Sequence, residues 1–282
     1  DLAYPYRELY DLVWRSLEFD EHCWATMLPP TDANVFNNDI TKKGNIAYAH
    51  GRATALLEQT LQALTGALAG ATDGLVVLNP LSHETRQVVR VGAASLPASF
   101  EVYDGGVKLP IQRVSEKEIM LVVDKVAALG HRNLEIRPSK LSPGEPEPLS
   151  GRTIDTPYYR LAVTGNRITG IFDKELGKEL IDSANPHGFN TLLYVHTEDY
   201  LSPKVATFAG TIERLEITRG EVATVFVQHG IEAESGSRIE NRVTVYHALK
   251  RIDIKNRLYE AKKLLYEGCI GKHYGDVGNR YL

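Results

Sequence analysis

The sequence predicts a mainly β protein with an N-terminal α-helical segment: a helix-bundle portion, then a small β-sandwich, then a larger antiparallel β-sandwich. Three observations predict it. Apolar residues recur at helical spacing through roughly the first seventy positions. That period breaks at Ala69-Gly70-Ala71-Thr72. Beyond it come short alternating stretches separated by turn residues, the pattern of packed antiparallel sheets.

Residues 4–27 read as the first helix. Tyr6, Leu9, Tyr10, Val13, Leu17, Trp24 and Met27 fall on one stripe of a helical wheel, with Arg7, Glu8, Asp11, Arg15 and Glu18 roughly opposite. The helix must stop by Pro29-Pro30, because a proline excludes helical geometry at the residue before it. TDANVFNND, residues 31–39, has loop chemistry. A second helix is expected from about Lys43 to Leu68, with Ile46, Ala49, Ala53, Leu56, Leu57, Leu64 and Leu68 as its apolar face. Two such helices need a further partner to bury both stripes.

LVVLNP (75–80) reads as a strand ended by Asn79-Pro80, and RQVVRVGA (86–93) as the next. FEVYDGGVKLPIQRV (100–114) folds back at Asp104-Gly105-Gly106. Residues 118–138 add two strands around Gly130. PSKLSPGEPEPLSG (138–151) reads as a linker or long surface loop. A second run of strands follows, ending in SRIENRVTVYHALKRIDIKNRLY with a turn near Leu249-Lys250. The expected domains are residues 1–72 (helical), 73–140 (small sandwich) and 150–282 (larger sandwich), with the tail from 260 unassigned.

Bulk properties narrow the function classes. Of 282 residues, 43% are apolar and 24% charged, ordinary for a globular protein. A net charge of −4 without a basic block argues against a nucleic-acid partner. Two cysteines, Cys23 and Cys269, define no disulfide framework. No apolar run reaches the roughly 18–20 residues that span a bilayer, and no signal peptide is visible. No membrane partner and a cytoplasmic location are therefore expected. The opening DLAYPYRELYDLVW reads like the middle of a longer protein, and a fragment is the expectation.

Four stretches carry a more specific signal: SLEFDEHCWAT (16–26), LVVLNPLSHETRQVVRV (75–91), VAALGHRNLEI (126–136), and YYRLAVTGNRITGIFDKELGKELID (158–182) followed by PHGFNTLLYV (186–195). Together, in this order and spacing, they resemble glycoside hydrolase family 38, the retaining zinc-dependent α-mannosidases, over about residues 5–258. The resemblance implies a helical middle domain followed by a small β-sandwich and a galactose-mutarotase-like β-sandwich. It implies two-step hydrolysis, in which one carboxylate attacks the anomeric carbon and another acid protonates the leaving oxygen. It also implies a zinc ion held by two histidines and two aspartates, with an α-mannoside or mannose-containing glycan as ligand. The nucleophile and three of the four zinc ligands would come from an α/β domain absent from this chain. No catalytic residue is therefore assigned here, and the chain alone is expected to be inactive. His22 is the position that matches the remaining zinc ligand.

His22 can also be read as a core or a solvated histidine. On the wheel it points toward Asp11, Arg15 and Glu18 and away from the apolar stripe, which disfavours the core reading and makes an imidazole that is exposed, or held only by a local carboxylate, the expectation. A thiol at Cys23, where the family commonly has threonine, is a departure, although helix neighbours point about 100° apart. Asp20 and Glu21 can orient a metal-bound imidazole or form a solvated face. Trp24 falls on the apolar stripe and reads as packing. Asp173 in GIFDKELGKEL reads as turn chemistry with Gly177 at positive φ. Asn79 reads as a strand-ending residue, and Asn190 as a buried amide satisfying backbone rather than a loop residue reaching a ligand. His187, His196, His229 and His247 show no metal-ligand spacing and read as structural or surface residues. The competing function is a non-catalytic carbohydrate-binding or scaffold module of another sugar-processing enzyme, since fold alone does not decide function.

Overall fold

The computed structural model describes residues 4–20, 33–68, 74–140, 144–197, 205–231, 237–259, 264–265 and 280–281. It is mainly β, with an N-terminal helical segment followed by antiparallel sheets. The helical hairpin lies in one compact unit, and residues 70–196 with 206–262 form another.

Helix α1 spans Tyr6–Asp20 and helix α2 spans Ala33–Leu68. The second helix starts ten residues before the expected Lys43, so the loop reading of residues 33–39 is corrected. No proline or glycine interrupts Ala33–Lys43. The propensity penalties of Asn and Asp are below about 0.7 kcal/mol each, too small to stop a helix that other residues support.

The face that α1 turns to α2 also differs from expectation. Glu8 accepts from Arg52 at 2.6 Å, and Arg15 donates to the Asn45 carbonyl oxygen Oδ1 at 2.9 Å. Asn45 donates in turn to Glu18 at 2.8 Å, and Arg15 stacks over the Tyr48 ring at 4.6 Å. Leu12 and Ala49 are the buried apolar residues at this polar seam. The predicted stripe lies open: Tyr6, Tyr10, Val13 and Leu17 are 69%, 63%, 58% and 57% exposed. A wheel identifies the apolar face but not the neighbour it meets.

Residues 74–138 form two antiparallel sheets. Strands β1 (Gly74–Leu78), β3 (Phe100–Asp104), β4 (Val107–Lys108) and β7 (His131–Pro138) pair in the order β1-β7-β3-β4. Strands β2 (Thr85–Gly92), β5 (Ile111–Ser115) and β6 (Glu118–Val126) pair as β2-β6-β5. Alternation on a pleated strand points every second side chain inward, so Phe100, Val102 and Leu134 of one sheet meet Ile111, Ile119, Leu121 and Val123 of the other in one core. The β3–β4 turn has Gly105 and Gly106 at φ +55° and +86°, as a tight Asp-Gly-Gly hairpin requires.

The segment read as a linker is bound at several points. Gly144 bridges to Gln112, Arg113 pairs with Glu145 at 2.7 Å, and β8 (Glu147–Pro148) joins the following sheet. Next come β9 (Thr153–Asp155), β10 (Tyr159–Thr164), β11 (Arg167–Asp173) and β12 (Lys178–Glu179), a four-stranded sheet in the order β12-β11-β10-β9. After the two-stranded pair β13 (Leu193–Thr197) and β14 (Val205–Ala209), strands β15 (Thr211–Arg219), β16 (Ala223–Ile231), β17 (Arg238–Tyr246) and β18 (Ile252–Tyr259) form a sheet ordered β18-β17-β16-β15-β8. Leu161, Val163, Ile168 and Ile171 of the four-stranded sheet share a core with Phe226, Val243 and Val245 of the five-stranded one. A short pair, β19 (Leu264–Leu265) and β20 (Arg280–Tyr281), lies in the tail.

The outer face of β6 has a second packing surface. Met120 and Val122 meet Val222, Ala223 and Tyr246, so the three-stranded sheet packs against one end of the five-stranded sheet. No helix among the described residues is long and apolar enough to cross a membrane.

Candidate functional site

The five-stranded sheet buries its inner face, and its outer face is charged. Antiparallel pairing sets the rows: Thr244 lies opposite Asp253, Arg242 opposite Lys255, Glu240 opposite Arg257, and Arg238 opposite Tyr259. On the other side of β17, His229 lies opposite Glu240 and Val227 opposite Arg242. Residues paired in register share a face, so these side chains stand together.

Where the three-stranded sheet leans on this face, a cleft of about 700 Å³ opens. Arg90, Val114, Ser115 and Glu118 form one wall, and Arg242, Thr244, Asp253, Lys255 and Arg257 form the other. Arg90 donates to Glu118 at 3.0 Å. Beside the cleft the Tyr246 hydroxyl donates to Asp253 Oδ2 at 2.8 Å, and Arg251 Nε donates to Asp253 Oδ1 at 2.6 Å. Burial pushes the Asp253 carboxyl up, but the hydrogen bonds from Arg251 and Tyr246 outweigh it and hold the group below the usual carboxylate range. Asp253 is therefore an anion already neutralised by Arg251. Farther along, Glu240 Oε1 lies 3.5 Å from Arg257 and 3.8 Å from Arg242.

A second depression of about 420 Å³ continues past Glu240, lined by Glu213, His229, Arg238 and Tyr259 among others. The Tyr259 hydroxyl accepts from Arg257 at 3.3 Å and lies 3.4 Å from Glu240 Oε2, to which it donates. His229 Nε2 is buried without a hydrogen-bond partner, and its nearest carboxylate oxygen, on Glu216, is 3.9 Å away.

His22 lies outside the described residues, as do Glu21, Cys23 and Trp24. Asp20 is the exposed last residue of α1. Among the described residues no group of three or more His, Cys, Asp or Glu is placed to hold a metal ion.

The remaining residues separate by role. Asp173 is a turn residue: its Oδ1 accepts the Glu175 and Leu176 amides at 3.0 Å each, and Gly177 has φ +61°. The Leu176 amide, helped by the Lys250 ammonium at 3.1 Å, holds its carboxyl below the usual range. Asn190, at φ +52°, exchanges two amide hydrogen bonds with Asn256, and its carbonyl accepts from Asn241. That exchange ties the loop to β17 and β18. The His187 main chain accepts from Thr191, while the His196 side chain lies outside the description.

Asn79 does more than end a strand. Its amide nitrogen lies 2.8, 2.9 and 3.0 Å from the carbonyl oxygens of His83, Val126 and Ala127, and its Oδ1 accepts from the Leu81 amide at 3.0 Å. It joins the NPLS turn to the VAALGH turn.

His247 is held neutral. The Glu221 carbonyl, 3.2 Å from Nδ1, can only accept, so Nδ1 carries the proton and Nε2 accepts from the Thr224 hydroxyl at 3.0 Å. Burial lowers its pKa. Because the folded pKa is depressed, the unfolded chain takes up the proton first. Stability should be constant well above the ordinary value of about 6.5 and fall as pH drops below it. Thermal melts from pH 8 to 5 should show this loss, reduced in His247→Gln; identical acid slopes would remove His247 as its source.

The charged rows on β17 and β18 were missed in the sequence, although the signal was there. Once the turn is centred between Ala248 and Leu249, the register and the facing cations follow. No family model matches the chain, and no curated protein matches it.

Proposed function

We propose that this chain is part of a zinc-dependent retaining α-mannosidase that removes terminal α-linked mannose from glycans. In this reading residues 1–72 are a helical middle domain, 73–140 a small β-sandwich and 150–282 a larger galactose-mutarotase-like β-sandwich. The chain supplies one zinc ligand, His22, together with scaffold and substrate wall. The nucleophile and the other three ligands come from an α/β domain outside it. The cores shared between facing sheets support the two sandwich assignments.

The observation that carries the reading is the outward apolar stripe of α1. Tyr6, Tyr10, Val13, Trp14 and Leu17 are all more than half exposed, and the helix that carries them ends at Asp20, two residues before His22. An exposed apolar face of this kind marks a surface another domain covers. The α/β domain that the four sequence stretches imply would cover it, and its ligands would meet His22 beyond the end of α1 rather than on the stripe. There the neutral imidazole of His22 would bind metal, with Asp20 or Glu21 available to orient the ring. When bound, zinc would supply a hold on the sugar's 2- and 3-hydroxyls.

The test uses the intact polypeptide. His22→Ala should lower zinc affinity by more than roughly 100-fold, since outer partners of a ligand are alone worth about 10–100-fold. Hydrolysis of an aryl α-mannoside should be lost with it. Normal zinc content and turnover in the variant would remove His22 from the site. Glycan binding without zinc or turnover in the unsubstituted polypeptide would favour the carbohydrate-binding module instead.

A further inference from the structure

Arg242 and Lys255 face each other directly across β17 and β18 on the cleft side of the sheet. Like charges in that arrangement destabilise a sheet. Arg257, two residues along β18, projects to the same face. The nearby carboxylate does not resolve the conflict, because a single oxygen, Glu240 Oε1, serves both Arg242 and Arg257. The Lys255 side chain has no hydrogen-bond or ion-pair partner among the described residues.

The opposite wall adds to the imbalance. Arg90 reaches the cleft from β2, so four cations line it against two carboxylates, Glu118 and Asp253. Asp253 is already paired with Arg251. This cationic excess sits on a chain whose net charge is −4, so it does not follow from bulk composition. The cleft, at about 700 Å³, falls within the roughly 300–1,000 Å³ of small-molecule sites. It is larger than a bare tetrahedral anion requires. Val114, Ser115 and Thr244 offer apolar contact and hydroxyls beside the charges.

We propose that this cleft binds a phosphate or sulfate ester of a sugar-sized molecule, with Lys255, Arg242 and Arg257 gripping the oxyanion. Arginine supplies a planar fork of donors, and lysine a compact point charge. A bound dianion turns the facing cations from a repulsive pair into two sides of one ion cluster. Its ester group lies toward Ser115 and Thr244. This inference does not depend on the mannosidase reading.

The test is calorimetric titration of the protein with glucose 6-phosphate, inorganic phosphate and inorganic sulfate, with glucose as the uncharged control. Ionic strength is held constant with chloride. Glucose 6-phosphate should bind more tightly than either inorganic ion, and glucose should not bind detectably. The preferred inorganic anion identifies which ester class the site takes. Lys255→Glu should weaken glucose 6-phosphate binding at least about tenfold, the scale of one charge-assisted hydrogen bond. Lys255→Arg should retain it within about threefold, by the same scale. Lys178→Glu, on β12, should bind like the parent. Lys255 is exposed on an outermost strand, so the thermal midpoint of Lys255→Arg should match the parent, and that of Lys255→Glu, which faces Arg242 with an opposite charge, should be no lower. Equal affinity in Lys255→Glu and the parent would overturn the proposal, as would glucose 6-phosphate binding no better than inorganic phosphate.

Discussion

Asn79→Asp should lower the thermal midpoint of the β unit by roughly 10 °C at neutral pH, and the loss should shrink on acidification. Asn79 is 5% exposed and the two N–H groups of its amide lie within reach of three main-chain carbonyls. An ionised carboxylate there replaces the donor with an acceptor pointing at three other acceptors. Each stranded polar group costs about 1–3 kcal/mol, so a total of roughly 3–5 kcal/mol is expected. At about 2–4 °C per kcal/mol for a unit of this size, that gives the stated shift. Burial among carbonyls raises the folded pKa of the new carboxyl above its unfolded value near 3.9. The folded state therefore binds the proton more tightly. The deficit is smallest below about pH 4 and full once pH passes the raised value. Melts of parent and variant at pH 7 and pH 4 check this. Equal midpoints at pH 7 would show that the two turns do not rely on the amide.

Gln112→Leu should cost roughly 2–4 kcal/mol, because two buried amides lose the acceptor that Gln112 Oε1 supplies. The Gln112 side chain is 1% exposed, and its Oε1 accepts from Val222 and Ala223 at 3.1 and 2.8 Å. This contact joins the first pair of sheets to the five-stranded sheet, at the point where Met120 packs on Tyr246. Gly220 shares the site: a Cβ there would lie 2.2 Å from Gln112 Cδ. Gly220→Ala should therefore expel the glutamine and lose the same two bonds. Denaturant unfolding of both single variants and the double variant tests the link. The double variant should lose clearly less than the two separate losses combined, because both remove one interaction. Simple additivity would show that Gly220 acts through something other than Gln112.

The strands were legible because a half-buried sheet writes its geometry as alternation. β10 reads buried and exposed in strict turn through Tyr159–Thr164, and the Asp104-Gly105-Gly106 hairpin follows from residues that tolerate positive φ. Asp173 and Gly177 were legible for the same local reason. What depends on a distant neighbour was not. Nothing near Asn79 in the chain shows that Val126 and Ala127 will stand over it, forty-seven and forty-eight residues away. The polar seam of α1 and α2 could not be read from either helix alone, since Glu8 meets Arg52 only after the hairpin closes. The early start of α2 was hidden by Asn and Asp, which weaken a helix without ending it.

β18 ends its sheet, and none of the described residues pairs with its outer side. A bare strand edge offers unused amides and carbonyls as a template for another chain. Ile254 and Leu258, 49% and 41% exposed, add apolar surface to it. Lys255 and Arg257 alternate with these residues along the strand and set charge at the same edge from the other face, the device by which sheet proteins discourage edge-to-edge aggregation. The same two cations therefore have a duty apart from any ligand: they help keep copies of the folded protein from zipping together. Neutral replacements along this strand would make the protein stickier even with its core intact.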